Sequence, residues 1–246
     1  MHYPHRTMAL PATHPLPLDE AARLQALRPY QLLNTMQDET FAELARLTAQ
    51  LFRVPICIIA LVEEEVVRFG LNHGLPPDMD RVNRWETLCS VALLGEGVTV
   101  FENLHAEPCA LINPGLVQNL HLGFYAGHTL RTADGQPIGV LCVIDNQPRA
   151  FSSAEAALLE RLTGVVMNLL DLRVALVQQP RWNQELWAAI YARIEDSVQR
   201  LETLAALAGW EEAPDSSNAL AYQDSARQEM LRVIEVLGQQ IQAARL

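Results

Sequence analysis

The chain carries four cysteines, Cys57, Cys89, Cys109 and Cys142, and seven histidines. These are the residue types that most readily ligate a metal, attack an electrophile or exchange electrons. Their spacing narrows the choice. The cysteines lie far apart without a CxxC pair, which signals neither a zinc site nor a disulfide framework, and the expected compartment is the reducing cytoplasm. His2, His5 and His14 sit in "MHYPHRTMALPATHPLPLDE", where no ligand spacing and no apolar signal core is found, so a solvated tail is expected and no metal. All 18 basic residues are arginine. Without lysine there is no Schiff-base chemistry and no P-loop. A formal net charge of −11 with no legible basic face argues against nucleic acid as a partner. No apolar run approaches membrane-spanning length, so no membrane partner is expected either.

The chemistry that remains concentrates in "FYAGHTLRTADGQPIGVLCVIDN" (124–146) and in "RWETLCSVALLGEG" (84–97). Alternation puts Leu122, Phe124, Ala126, His128 and Leu130 on one face of the first run and Tyr125 and Thr129 on the other. The period alone does not say which face meets a cavity. His128 reads as a buried histidine satisfied by a backbone carbonyl, with a ligand contact as the alternative. Cys142 reads as a small core residue, and Glu63 and Asp145 as turn and cap residues rather than catalytic acids. Trp85 and Cys89, one helical turn apart, either roof a cavity or seal the core.

These residues need elements to position them. Residues 19–34 carry a helical stripe broken at Pro29, and a second helix starts at Asp38 as N-cap. "VPICIIALV" (54–62), apolar at both parities, describes a strand covered on both faces, with "VVRFGLN" (66–72) as hairpin partner. Residues 73–84 read as loop, 84–97 as a short helix, 98–103 as a strand and 104–119 as a long irregular connection of the kind that often binds ligands. "ADGQ" turns the hairpin of 122–145. A helix over 151–177 begins at the capping box of Ser152 and Glu155, with Phe151 as staple. The order is that of an α+β layer design, an antiparallel sheet flanked by helices.

Taken together, "RLQALRPYQLLNT", "FAELARLTAQLFRVPICIIALVEEE" and above all "GFYAGHTLRTADGQPIGVLCVIDNQPRAFSSAE" resemble a bacterial GAF domain of the type found upstream of sensor histidine kinases and cyclic-dinucleotide enzymes. The resemblance covers about 19–177. It implies a GAF fold, a sensory module for a small molecule or chromophore, and a dimer held by flanking helices. It names no ligand, and the cofactor is unknown. Family members often read "SFCAHAI" on the short helix over the pocket; here "TLCSVAL" keeps Cys89 but has Ser90 after it and Val91 in the histidine position. Neither a bilin adduct nor haem ligation at Cys89 is therefore expected.

Residues 178–246 read as a C-terminal helical hairpin. Trp187, Ile190, Ile194, Leu201, Leu204 and Ala208 form one seam, and Leu220, Met230, Ile234, Leu237, Ile241 and Ala244 the other. It either folds back on the GAF domain or forms a dimeric four-helix bundle, and the apolar residues of 151–177 exceed what one sheet face covers. With no histidine after His128 and no ATP-binding, cyclase or helix-turn-helix signature, no output domain is expected.

The expected organisation is a tail (1–18), a GAF domain (19–177) and the hairpin (178–246). The expected function is non-enzymatic sensing: a small molecule binds beside Trp85, Cys89, Leu104, Ile112, Phe124, Tyr125 and His128 in a cavity of a few hundred Å³. A homodimer then signals through its helices to a partner protein. The alternatives are a free-methionine-sulfoxide reductase using Cys89 and Cys109, and a pure dimerisation scaffold.

Overall fold

The computed structural model describes residues 16–31, 39–109, 111–112, 117, 121–178 and 184–209, with scattered helical positions between 221 and 239. The stretch with His2, His5 and His14, the Asp38 cap and the seam from Leu220 to Ala244 lie outside the described residues.

Helices α1 (Glu20–Gln31) and α2 (Glu39–Phe52) lead into strands β1 (Ile56–Val62), β2 (Val66–His73) and β3 (Arg81–Asn83). A 3₁₀ turn (Arg84–Glu86), α3 (Leu88–Ala92) and β4 (Thr99–Phe101) follow. Strands β5 (Phe124–Arg131) and β6 (Pro137–Asp145) precede the long helices α4 (Ser153–Gln178) and α5 (Gln184–Gly209). Among the described residues the strands form one antiparallel sheet ordered β3-β2-β1-β6-β5-β4. Its centre is the β1–β6 pair, in register from Ile56 opposite Ile144 to Leu61 opposite Gly139.

Two apolar layers follow from the two parities of β1. Cys57, Ile59 and Leu61 face the helices α1, α2 and α4; Ile58, Ala60 and Val62 face α3 and the connection after β4. The β5–β6 turn closes with Thr132 N–H donating to Gln136 O at 3.0 Å, and Gly135 holds the φ of +84° that side-chain-bearing residues resist. At the start of α4 the capping box forms as expected: Ser152 N–H donates to Glu155 Oε2 at 2.8 Å and Glu155 N–H to Ser152 Oγ at 3.2 Å. Phe151 packs its ring against Phe52 and Phe124, with centroids 5.8 and 5.5 Å away.

Several local expectations change. α1 runs through Pro29 to Gln31 because a proline in the final turn removes only one intrahelical bond. Arg81–Asn83, read as loop, pair with Val66–Arg68 as an edge strand; polar composition hid a pairing that the backbone makes. The helix expected over 84–97 is interrupted at Thr87, whose extended backbone ends the 3₁₀ turn and whose Oγ1 accepts the Cys89 N–H at 3.2 Å to start α3. Within one chain Leu162, Val165, Val166, Leu169 and Leu172 of α4 are already buried. Their apolarity therefore does not call for a second copy. The first arm of the expected hairpin, α5, lies on α2: Trp187 stacks on Phe41 with centroids 5.8 Å apart, and Ile190 and Ile194 are fully buried in the helix-side core. Arg200 reaches Glu229 beyond it at 3.2 Å.

One charged cluster ties α1 to both ends of this frame. Arg23, fully buried, donates to Val62 O at 2.7 Å and to Glu20 Oε1 and Oε2 at 2.7 and 2.8 Å. Arg84, which opens the 3₁₀ turn preceding α3, donates to the same Glu20 carboxylate at 2.5 Å. Burial pushes the Glu20 carboxyl upward, but the bonds from Arg23 and Arg84 outweigh it and hold the group below its usual value.

Two outcomes are expected. Replacing Glu20 by Gln strands two buried guanidinium groups and costs about 3 kcal/mol in chemical denaturation at neutral pH. Because the folded carboxyl is depressed, its contribution is present above the unfolded value near roughly 4.3 and is lost as pH falls through the lower, folded value. The variant's stability should accordingly lose the acid-side decline that Glu20 causes in the wild type. Ile194→Ala is expected to cost roughly 2–4 kcal/mol in the same assay; an unchanged midpoint would mean that α5 does not hold the core together in solution.

Candidate functional site

Between the sheet and α3 lies an apolar cavity of about 30 Å³. Ile58 of β1, Phe69 of β2, Tyr125 of β5 and Ile144 of β6 supply strand walls, and Leu88 and Cys89 of α3 face them. Ile112, Val117 and Leu122 contribute from the connection between β4 and β5. No charged side chain is among the lining residues described. The roof is anchored at both ends: Arg84 is bound to Glu20, and Thr129 Oγ1 donates to Ala92 O at 3.0 Å at the end of α3.

Thr87, Cys89 and Tyr125 are the polar side chains that line the cavity, and Cys142 lies behind Cys89. Cys89 Sγ lies 3.8 Å from Cys142 Sγ on β6. In the β5–β6 register Cys142 stands opposite Gly127, and the Tyr125 ring lies back along β5 over that glycine, so that a Cβ there would come within 2.4 Å of Tyr125 Oη. Glycine is required at 127 by this close approach rather than by backbone torsion. Tyr125 is 1% exposed and its hydroxyl has no oxygen or nitrogen partner, its only polar neighbours being the weakly accepting sulfurs of Cys89 and Cys142, which leaves an under-satisfied donor beside the cavity. Burial, with the two sulfurs alongside, holds the phenol well above its ordinary value. The Cys142 thiol, hydrogen-bonded to Cys89 sulfur, lowers the Cys89 thiol against the opposing effect of burial, whereas burial raises Cys142.

Of the seven residues expected at the site, Cys89, Ile112 and Tyr125 line the cavity. Leu104 is buried in the same apolar cluster but outside the lining, its N–H bound to Gly123 O at 2.8 Å. Trp85 does not share the roof with Cys89, because the helix breaks at Thr87; its ring instead carries the Arg84 guanidinium 5.0 Å from its centroid. Phe124 and His128 point from the opposite face of β5. Phe124 is drawn into the Phe52–Phe151 cluster, and His128, lowered by burial, faces the helix layer with its Nδ1 unpartnered rather than bound to a carbonyl. The cavity is also far smaller than a few hundred Å³, since the Tyr125 ring and the buried Leu88, Leu93 and Leu104 occupy the space.

The lining residues missed are Ile56, Ile58, Phe69 and Ile144 on the strands and Leu75, Met79, Thr87, Leu88, Val117 and Leu122 outside them; Cys142, beside Cys89, was read only as a core residue. In the observed register, shifted by a bulge between Leu130 and Arg131, Tyr125 stands opposite Ile144 and Gly127 opposite Cys142. The sulfur beside Cys89 is thus that of Cys142, not the Cys109 named in the reductase alternative; Cys109 is half-buried against the same cluster. Among the described residues no group of three or more His, Cys, Asp or Glu could hold a metal ion, and no helix is long and apolar enough to cross a membrane.

Gly127→Ala is expected to drive the Tyr125 ring out of its place and destabilise the domain by about 1–3 kcal/mol. Near-UV circular dichroism and a denaturant midpoint would report it, and a smaller cost in a Tyr125→Leu background would identify the ring as the cause.

Several known proteins are similar to this chain. The chain is 33% identical over 157 residues to the cyclic di-GMP phosphodiesterase PA2567 of Pseudomonas aeruginosa, covering 63% of this chain and 26% of that protein. It therefore spans about a quarter of the length of the curated relative it matches. Solved structures similar to it include the GAF domain of an Acinetobacter phosphoenolpyruvate-protein phosphotransferase, at 19% identity and a TM-score of 0.46 over 64% of this chain and 98% of that one. Another is the free methionine-R-sulfoxide reductase of Neisseria meningitidis in complex with its substrate, at 18% identity and a TM-score of 0.45 over 65% and 96%. The model of the GAF domain family matches residues 37–170, more than half of the 246 residues and all six strands of the sheet, and the chain belongs to the GAF domain family.

Proposed function

We propose that this chain is a sensory module in which the cavity beneath α3 admits a small, uncharged, mainly apolar molecule carrying one hydrogen-bond acceptor. The observation that carries this reading is the Tyr125 hydroxyl, buried beside an apolar cavity with no oxygen or nitrogen partner and only two sulfurs alongside. A buried under-satisfied donor costs up to roughly 1–3 kcal/mol, a cost that an acceptor on a ligand would remove. Apolar walls without a charge disfavour an anionic or nucleotide ligand at this cavity. At about 30 Å³ the present cavity holds a molecule no larger than one or two waters, so a larger ligand binds with displacement of α3.

Such a displacement has a defined route outward. α3 is joined to Arg84 through the 3₁₀ turn and the Ser90 Oγ–Arg84 O hydrogen bond, and Arg84 shares the Glu20 carboxylate with Arg23 of α1. In this reading the helices pass the change to a partner protein and to a second copy, the GAF domain occupies 19–177, and the C-terminal helices extend it. The free thiols suit a reducing compartment such as the cytoplasm.

A second reading, a dimerisation scaffold filled by its own side chains, is favoured by the small volume of the cavity. Native mass spectrometry of the purified protein, with a thermal-shift series of uncharged carbonyl and heteroaromatic compounds, separates the two. The sensor reading expects a retained mass or a rise in Tm, and about tenfold weaker binding in Tyr125→Phe with no loss of stability, because the variant removes only an under-satisfied hydroxyl. Neither retained mass nor stabilisation, together with a dimer in light scattering, would overturn it in favour of the scaffold.

A further inference from the structure

We propose that Cys89 and Cys142 form a peroxide-responsive thiol pair whose reversible disulfide pins the roof helix α3 to the central strand β6. The inference stands on the pair's geometry and does not depend on the identity, or the existence, of a cavity ligand. The two sulfurs are 3.8 Å apart, so a further approach of under about 2 Å brings them to bonding distance. They belong to elements that are 53 residues apart in sequence, one a five-residue helix and the other a strand held on both sides by ladders. The movable partner is therefore α3. Cys89 lines the cavity and Cys142 does not, which sets the order of events: an oxidant of the size of hydrogen peroxide fits a space that holds one or two waters and meets Cys89 first.

The chemistry balances with peroxide as the oxidant. Cys89 thiolate attacks one peroxide oxygen, the O–O bond breaks, and Cys89 becomes a sulfenic acid while the departing hydroxide takes up a proton to leave as water. Cys142 sulfur, giving up its proton, then attacks Cys89 sulfur; the S–O bond breaks, the S–S bond forms, and a second water leaves. Two thiols lose two electrons in total and one peroxide gains them. The lowered Cys89 thiol suits the attacking role, and the raised Cys142 thiol suits a resolving one that gives up its proton only in the second step. The other two cysteines are placed differently: Cys57 faces the helix-side core, and Cys109 is half-buried in the β4–β5 connection.

The test uses the full chain carrying Cys109→Ser, because Cys89 and Cys109 otherwise fall between the same two arginines, Arg84 and Arg131. After brief exposure to hydrogen peroxide, denaturing alkylation and tryptic mapping should give a cross-linked species joining 85–131 to 132–149. Its mass should be about 2 Da below the sum of the reduced peptides, and it should vanish on reduction with dithiothreitol. Alkylatable thiols should fall from three to one, the survivor being Cys57. Amide exchange across Cys89–Leu93 should slow by roughly tenfold in the oxidised protein, as expected when a short helix is fastened to the sheet. In Cys142→Ser the oxidation should stop at oxygen adducts on Cys89. Because the cross-link is mapped in protein that keeps all three core cysteines, it does not depend on that last variant folding. The proposal is overturned if Cys142 remains alkylatable while Cys89 is oxidised, or if both resist peroxide that oxidises an exposed thiol of a control protein.

Discussion

Strands β1 and β6 are apolar at both parities, and a strand of that kind is stable only where both faces are covered. This constraint organises the molecule. One face is covered by long helices, which bring enough apolar surface to fill a deep core: Leu27 of α1, Phe41 and Leu44 of α2, and Leu159, Val166 and Leu169 of α4 are all but inaccessible. The other face is covered only by a single-turn helix and an irregular connection. Such elements cannot close over a twisted sheet as fully as a helix pair can. A small void remains at their junction, and the only hydroxyl without an oxygen or nitrogen partner among the buried side chains described lies beside it.

The two layers are not independent, because one carboxylate joins them. Glu20 on the helix side receives Arg23, which also caps the end of β1 through Val62 O, and receives Arg84 from the segment leading into α3. Buried guanidinium groups are tolerated only when paired and hydrogen-bonded, so the position of α1 and the position of the roof are held by the same group. The far end of α3 is held to β5 by Thr129. A helix of five residues has little stability of its own, and its placement is therefore a property of these anchors rather than of its sequence. That makes it the natural moving part of the site.

The chemistry beneath it follows from burial. Thiols and a phenol placed in an apolar enclosure resist ionisation, and Tyr125 and Cys142 do so; Cys89 departs from the rule because a second thiol lies within hydrogen-bond distance of its sulfur. Gly127 makes the arrangement possible by leaving room for the Tyr125 ring directly across from Cys142.

Local patterns in the sequence determined the elements: the capping box at Ser152 and Glu155, the "ADGQ" turn, the two-sided apolarity of β1 and the GAF-like run from 123 to 155 each specify their structure through neighbouring residues alone. Of the residues expected to bind a ligand, Cys89, Ile112 and Tyr125 line the cavity. What tertiary structure decided was orientation. Period-two alternation divides β5 into two faces but assigns neither, and only the packing of Phe124 against Phe52 and Phe151 sends Tyr125 to the cavity and His128 to the helices. Helical spacing put Trp85 with Cys89, yet the extended backbone at Thr87 separates them. The partnership of Cys89 with Cys142, the docking of α5 on α2 and the shared carboxylate of Glu20 all join residues dozens of positions apart. Such contacts are set by the layering of the whole domain, on which no local periodicity bears.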